Sequence, residues 1–99
     1  MTIYVDAVVD WGSERCRGLP STRWCHMVSD TSLDELHAMA ARIGMRREWF
    51  QNSPGHPHYD LTPRRRLAAL AAGAIEADRA TIIGAWRRLR ARNTLIDHG

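Results

Sequence analysis

The chain has 99 residues, 44% hydrophobic and 25% charged, which suits one globular domain with a modest core and excludes a disordered or fibrous chain. No apolar run approaches the roughly 20 residues that cross a bilayer, so neither a membrane span nor a membrane partner is expected. All 14 basic residues are Arg: residues 1–50 carry six against seven acids, net −1, while residues 51–99 carry eight against four, net +4, a bias that steers anions to the second half.

The opening MTIYVDAVVD lacks a basic n-region and carries Asp6 and Asp10, so it does not read as a signal peptide. Cys16 and Cys25 form no CxxC pair and are expected as reduced thiols in a cytoplasm. TIYVDAVV, rich in β-branched and aromatic residues, predicts a strand. A loop with Gly12, Gly18 and Pro20 follows, and RWCHMVS is a second strand candidate. Ser32 and Glu35 have the spacing of a capping box; Leu33, Leu36, Ala40 and Ile43 then recur at helical spacing, and Gly44 is a natural stop. RREWFQ fits either a short strand or a helical turn.

Thr62-Pro63 starts a second helix, with Leu67, Leu70, Ala71 and Ala74 as its apolar stripe and Gly73 as its end. AIEA is one more short strand candidate. Asp78 caps a last helix that turns Ile82, Ile83, Trp86 and Leu89 inward and Arg87, Arg88, Arg90 and Arg92 outward, with fraying expected after Asn93. Strand and helix segments alternate. The expected fold is therefore α/β, a single small domain over residues 1–99 with a sheet of three to four strands and about three helices; an α+β arrangement is the alternative.

Asp6, Asp30 and Asp60 each follow a strand candidate. On parallel neighbouring strands the three carboxylates would converge at one sheet edge, a donor set for Mg²⁺ or Mn²⁺. Their plainer role is as loop and cap residues, above all for Asp30 beside Ser32. In HPHYDL, residues 56–61, strand alternation sets His58 and Asp60 on one face and Tyr59 on the other. A carboxylate beside a histidine fixes its tautomer for acid–base work, and it equally suits a polar network bracing the loop. His37 stands at the margin of the first helix's stripe, and His26 follows Cys25 in a strand.

Arg64, Arg65 and Arg66 occupy the first turn of the helix behind HPHYDL, where open backbone N–H groups favour an anion. A solvated Arg-rich face is their plainer role, more so for Arg64 and Arg66 than for Arg65. Gln51 and Trp49 precede the same loop, Trp49 either stacking a base or buried beneath it. A zinc set from Cys16, Cys25, His26 and His37 matches no usual spacing, and no phosphate-loop or dinucleotide fingerprint is present.

The succession YVD (4–6), CHM (25–27) with Asp30 behind it, ELHAMAARIG (35–44), EWFQ (48–51), HYD (58–60), RR (65–66) and AAGAIE (71–76) resembles a small bacterial and phage family called domain of unknown function 4031. The resemblance runs from Thr2 to Glu76. It implies a protein working inside a bacterium or an infected cell, supplies no activity, and marks His26, His37, His58, Tyr59 and Asp60 as family motif positions.

Together these features lead us to expect recognition of a phosphate-containing ligand, a nucleotide or nucleic acid. A metal-dependent phosphoesterase or nuclease is one form of it, with His58, Asp60 and His37 catalytic, His26, Tyr59, Arg64, Arg65 and Gln51 binding ligand, and Asp6, Asp30 and Asp60 holding the metal. The alternative is a non-catalytic binding or interaction protein with structural histidines; a homo-oligomer is compatible with either.

Overall fold

The computed structural model describes the backbone of residues 2–98 and the side chains of residues 2–92. In chain order the elements are β1 (Ile3–Val5), β2 (Val9–Asp10), β3 (Arg23–Ser29), α1 (Leu33–Arg42), a single 3₁₀ turn (Arg47–Trp49), β4 (Phe50–Ser53), β5 (His56–Leu61), α2 (Pro63–Ala71), β6 (Ile75–Glu76) and α3 (Arg79–His98). The fold is mixed α+β. RREWFQ is both of its alternatives in succession, a helical turn and then a strand. The fraying expected after Asn93 falls on residues whose side chains lie outside those described.

The sheet has six strands rather than three to four, in the order β4-β5-β3-β1-β6, with β2 also on β3. Among the described residues only β1 and β6 run parallel; the other pairs are antiparallel. Parallel neighbours need a crossover of a dozen or more residues, normally helical. A loop without a helix joins β2 to β3, so the chain turns straight back, and Pro54-Gly55 closes a tight β4–β5 hairpin in which Gly55 takes φ 75°.

The helices divide between the two faces. One face carries α1 and α2 over a core of Val5, Met27, Tyr59, Leu61, Leu36 and Ala69. The other carries α3, whose Ile82 and Ala85 pack on Val28, with Tyr4 and Trp86 at the margin. Strand alternation therefore sends Cys25, Met27, Tyr59 and Leu61 towards α1 and α2, and His26, Val28, His58 and Asp60 towards the α3 side.

Helix α1 starts and stops where the sequence places it. Ser32 Oγ accepts the Glu35 N–H at 3.1 Å, and Gly44 leaves the helix at φ 82°. Only half of the capping box forms, because the Ser32 N–H donates to Ser29 Oγ instead. Leu36 and Ala40 are buried, while Leu33 and Ile43 are half-buried.

The stripe expected on α2 is rotated: Leu67 is 66% exposed and Ala71 exposed, while Ala69 is buried. Arg66 lies on the turned-in side. Its Nε donates to the Asp6 carbonyl at 2.8 Å and its Nη2 to Glu76, in a row with Ala69 and Leu70. On α3, Leu89 is buried as expected, but Ile83 lies outside the core and Trp86 is half-buried, its Nε1 donating to the Pro57 carbonyl.

Candidate functional site

The site begins with an irregularity between β1 and β2. Between the Val5–Met27 and Val9–Trp24 pairs the chain from β1 to β2 advances four residues and β3 only three, a bulge at residues 6–8. There the ladder's backbone acceptor is replaced by a side chain: the His26 N–H donates to Asp6 Oδ1 at 2.6 Å. The other oxygen, Asp6 Oδ2, lies 2.7 Å from His26 Nδ1. A carboxylate only accepts, so Nδ1 carries the proton and, in the neutral ring, Nε2 keeps its lone pair.

Across β3, His26 is in register with Asp60 on β5. Asp6, just past the end of β1, thus lies in one row with His26 on β3 and Asp60 on β5. His58, two residues before Asp60, shares its face; His58 Nδ1 donates to the His56 carbonyl at 2.7 Å, which again leaves Nε2 facing the row. Asp60 Oδ1 lies 3.4 Å from His58 Nε2 and 4.0 Å from His26 Nε2. Burial disfavours the charged imidazolium of His58, but the hydrogen bonds to Asp60 and the His56 carbonyl and the charges of Asp60 and Asp6 outweigh it and raise its pKa. The His26 and His58 rings meet edge to face, centroids 5.0 Å apart.

These groups form the floor of a groove. Trp11, Arg15, Trp24, Trp49, Arg64 and Arg65 line the same groove. Trp49 is 41% exposed rather than buried under the loop. The Arg65 guanidinium sits 5.4 Å above the Trp49 ring and donates to the Gly44 carbonyl, so it is held rather than free. Gln51 pairs with His58 in register and lines the same groove. The start of α2 offers less backbone than expected. Pro63 has no N–H, Arg65 N–H goes to Thr62 Oγ1 and Arg66 N–H to the Thr62 carbonyl.

The structure places four of the expected site residues otherwise: Asp30, Asp6, Tyr59 and His37. Asp30 does not join Asp6 and Asp60: its N–H donates to the Thr2 carbonyl at one end of β1, while Asp6 faces His26 at the other, four residues along β3 and about 13 Å away at ~3.3 Å per residue. Asp30 instead accepts from Thr2 and Thr31 and pairs with Arg88. Antiparallel pairing of β1 with β3 is the reason. Asp6 faces its partners as a brace for His26, not as a third ligand. Tyr59 and His37 lie on the opposite face, where Tyr59 is fully buried and its hydroxyl is 2.8 Å from His37 Nδ1; neither reaches the groove.

The family model described as "Protein of unknown function (DUF4031)" matches residues 3–91. The chain belongs to this family. No curated protein and no solved structure matches it. In this DUF4031 chain the quoted motifs divide between two tasks. CHM and HYD place His26, His58 and Asp60 on the groove side, while ELHAMAARIG and the Tyr59 of HYD build the core beneath. The sequence marks Arg66 as an anion-binding or solvated residue and not as the group that holds the bulge through the Asp6 carbonyl, and it does not mark Trp11 and Trp24, which line the groove. For Arg66 a signal existed: it stands three residues before Ala69 and four before Leu70, on the face that is buried.

Proposed function

We propose that this protein binds a phosphate-containing ligand, single-stranded nucleic acid or its nucleotide units, along the groove over His26, His58 and Asp60. The observation that carries this is the coincidence in one groove of tryptophan side chains, a residue type on which bases stack, with Arg15, Arg64 and Arg65, which suit phosphate. Stacking of Arg65 on Trp49 fixes both groups before a ligand arrives, which reduces the ordering cost of binding. Unpaired, buried Cys16 and Cys25 fit a reducing cytoplasm, and the family resemblance suggests that of a bacterium or an infected cell.

Titrating a single-stranded oligonucleotide against tryptophan fluorescence at several salt concentrations tests this. Affinity is expected to fall steeply with salt as counterions are released. Arg65→Glu weakens binding more than Arg42→Glu, since Arg42 is exposed on α1 away from the groove. Salt-independent binding, or equal effects at both positions, overturns the proposal.

Hydrolysis of a phosphoester is a second reading, favoured by His26, His58 and Asp60 lying on the groove floor, where a bound phosphate meets groups able to hold or move a proton. Under it, Asp60→Asn abolishes turnover while oligonucleotide binding persists. A wild-type protein that binds and never cleaves is a binding module.

A further inference from the structure

We infer that His26 Nε2, His58 Nε2 and Asp60 Oδ1 form a binding site for a divalent transition metal of the zinc class, with an open coordination position facing the groove. These three residues each offer one ligand atom, all within 4.8 Å of one another. A tetrahedral ion with bonds of about 2.0–2.1 Å holds its ligand atoms roughly 3.3 Å apart. The His58–Asp60 separation of 3.4 Å already meets that, and the His26–Asp60 separation of 4.0 Å needs a small side-chain closure.

The surroundings carry the inference further than the triad does. Metal-binding histidines give their second ring N–H to a carboxylate or a backbone carbonyl, which fixes the tautomer and aims the free nitrogen at the ion. His26 gives its N–H to Asp6, and His58 gives its own to the His56 carbonyl. Both forms of that support are thus present around one triad. Asp6 is in turn fixed by the His26 backbone N–H, and its carbonyl by Arg66. Asp6 and Asp60 together balance the charge of a dication. Two imidazoles with one carboxylate suit zinc or iron over magnesium, which prefers oxygen ligands. The donor set is therefore different from the all-carboxylate one suggested by the three aspartates. An ion here would present its open position, with a water of lowered pKa, to a phosphate in the groove. Only this last consequence rests on the proposed function.

The test uses the full chain, stripped with a chelator and titrated with Zn²⁺ alone by calorimetry, with no nucleic acid present. One Zn²⁺ per chain is expected, lost in His26→Ala and in Asp60→Asn and not displaced by millimolar-range Mg²⁺. Asp6→Asn, a positioning change, weakens Zn²⁺ binding about 10–100-fold while the metal-free unfolding midpoint moves little. Substitution of Co²⁺ into the unmutated protein gives visible bands without a thiolate charge-transfer band, and so needs no variant to fold. No stoichiometric Zn²⁺, unchanged Zn²⁺ binding in both ligand variants, or thiolate absorption from Cys16 or Cys25 overturns the site. A protein that binds Zn²⁺ but no oligonucleotide keeps this inference and loses the groove proposal.

Discussion

Asp6 holds His26 at two points, accepting its backbone N–H at 2.6 Å and its ring Nδ1–H at 2.7 Å. One carboxylate therefore closes the gap that the bulge opens in the β1–β3 ladder and orients a side chain of the site. Removing it leaves both donors without their partner. Asp6→Ala is expected to lower stability by about 1–3 kcal/mol in denaturant unfolding, towards the lower end because the side chain is 22% exposed and water replaces part of the loss. A loss below about 0.3 kcal/mol would show that the bulge is stable without Asp6.

The rotation of α2 gives a contrast between two leucines. Leu36 on α1 is fully buried and Leu67 on α2 is mostly exposed. Leu36→Ala is expected to cost about 2–5 kcal/mol. Leu67→Ala stays within about 0.5 kcal/mol. Equal losses in urea unfolding would restore the stripe through Leu67.

Buried Tyr59 and half-buried His37 form a pair outside the groove. Tyr59→Phe keeps the ring and removes the hydroxyl, so it is expected to cost about 0.5–1.5 kcal/mol and to leave oligonucleotide affinity unchanged. A fall in affinity in fully folded Tyr59→Phe protein would return Tyr59 to the site.

Burial, with the charge of Arg47 nearby, holds the His37 pKa below its ordinary value of 6.5. The fold thus favours neutral His37, and the unfolded chain binds its proton more readily. The resulting stability is fully present above the unfolded pKa and is lost as pH falls through the folded one. His37→Asn offers Tyr59 a neutral amide that does not titrate. Between about pH 8 and about pH 5 the unmutated protein should therefore lose more unfolding free energy than His37→Asn. Parallel pH profiles for the two would mean that His37 titrates alike in both states.

Local chemistry was legible in the sequence because its causes are local. Ser32 and Gly44 bound α1, Thr62-Pro63 opens α2, and Asp78 accepts the Thr81 N–H at the start of α3, each through contacts a few residues apart. The alternation that sets His58 and Asp60 on one face and Tyr59 on the other is a property of any extended chain, and β5 keeps it.

Strand direction has no such local cause. Three aspartates after three strands mark one site only if the strands run parallel, and the antiparallel return of β3 sends Asp30 to the far end from Asp6. The pairing of His26 with Asp60 depends on β3–β5 register, and that of Asp6 with His26 on one extra residue in a bulge. Arg66 reaches the Asp6 carbonyl across 60 positions of sequence. The sequence alone determined where the helices begin and which way the side chains of β5 alternate. Only the tertiary structure decided which of the site residues meet, because that depends on register and strand direction, which are set by packing between segments far apart in the chain.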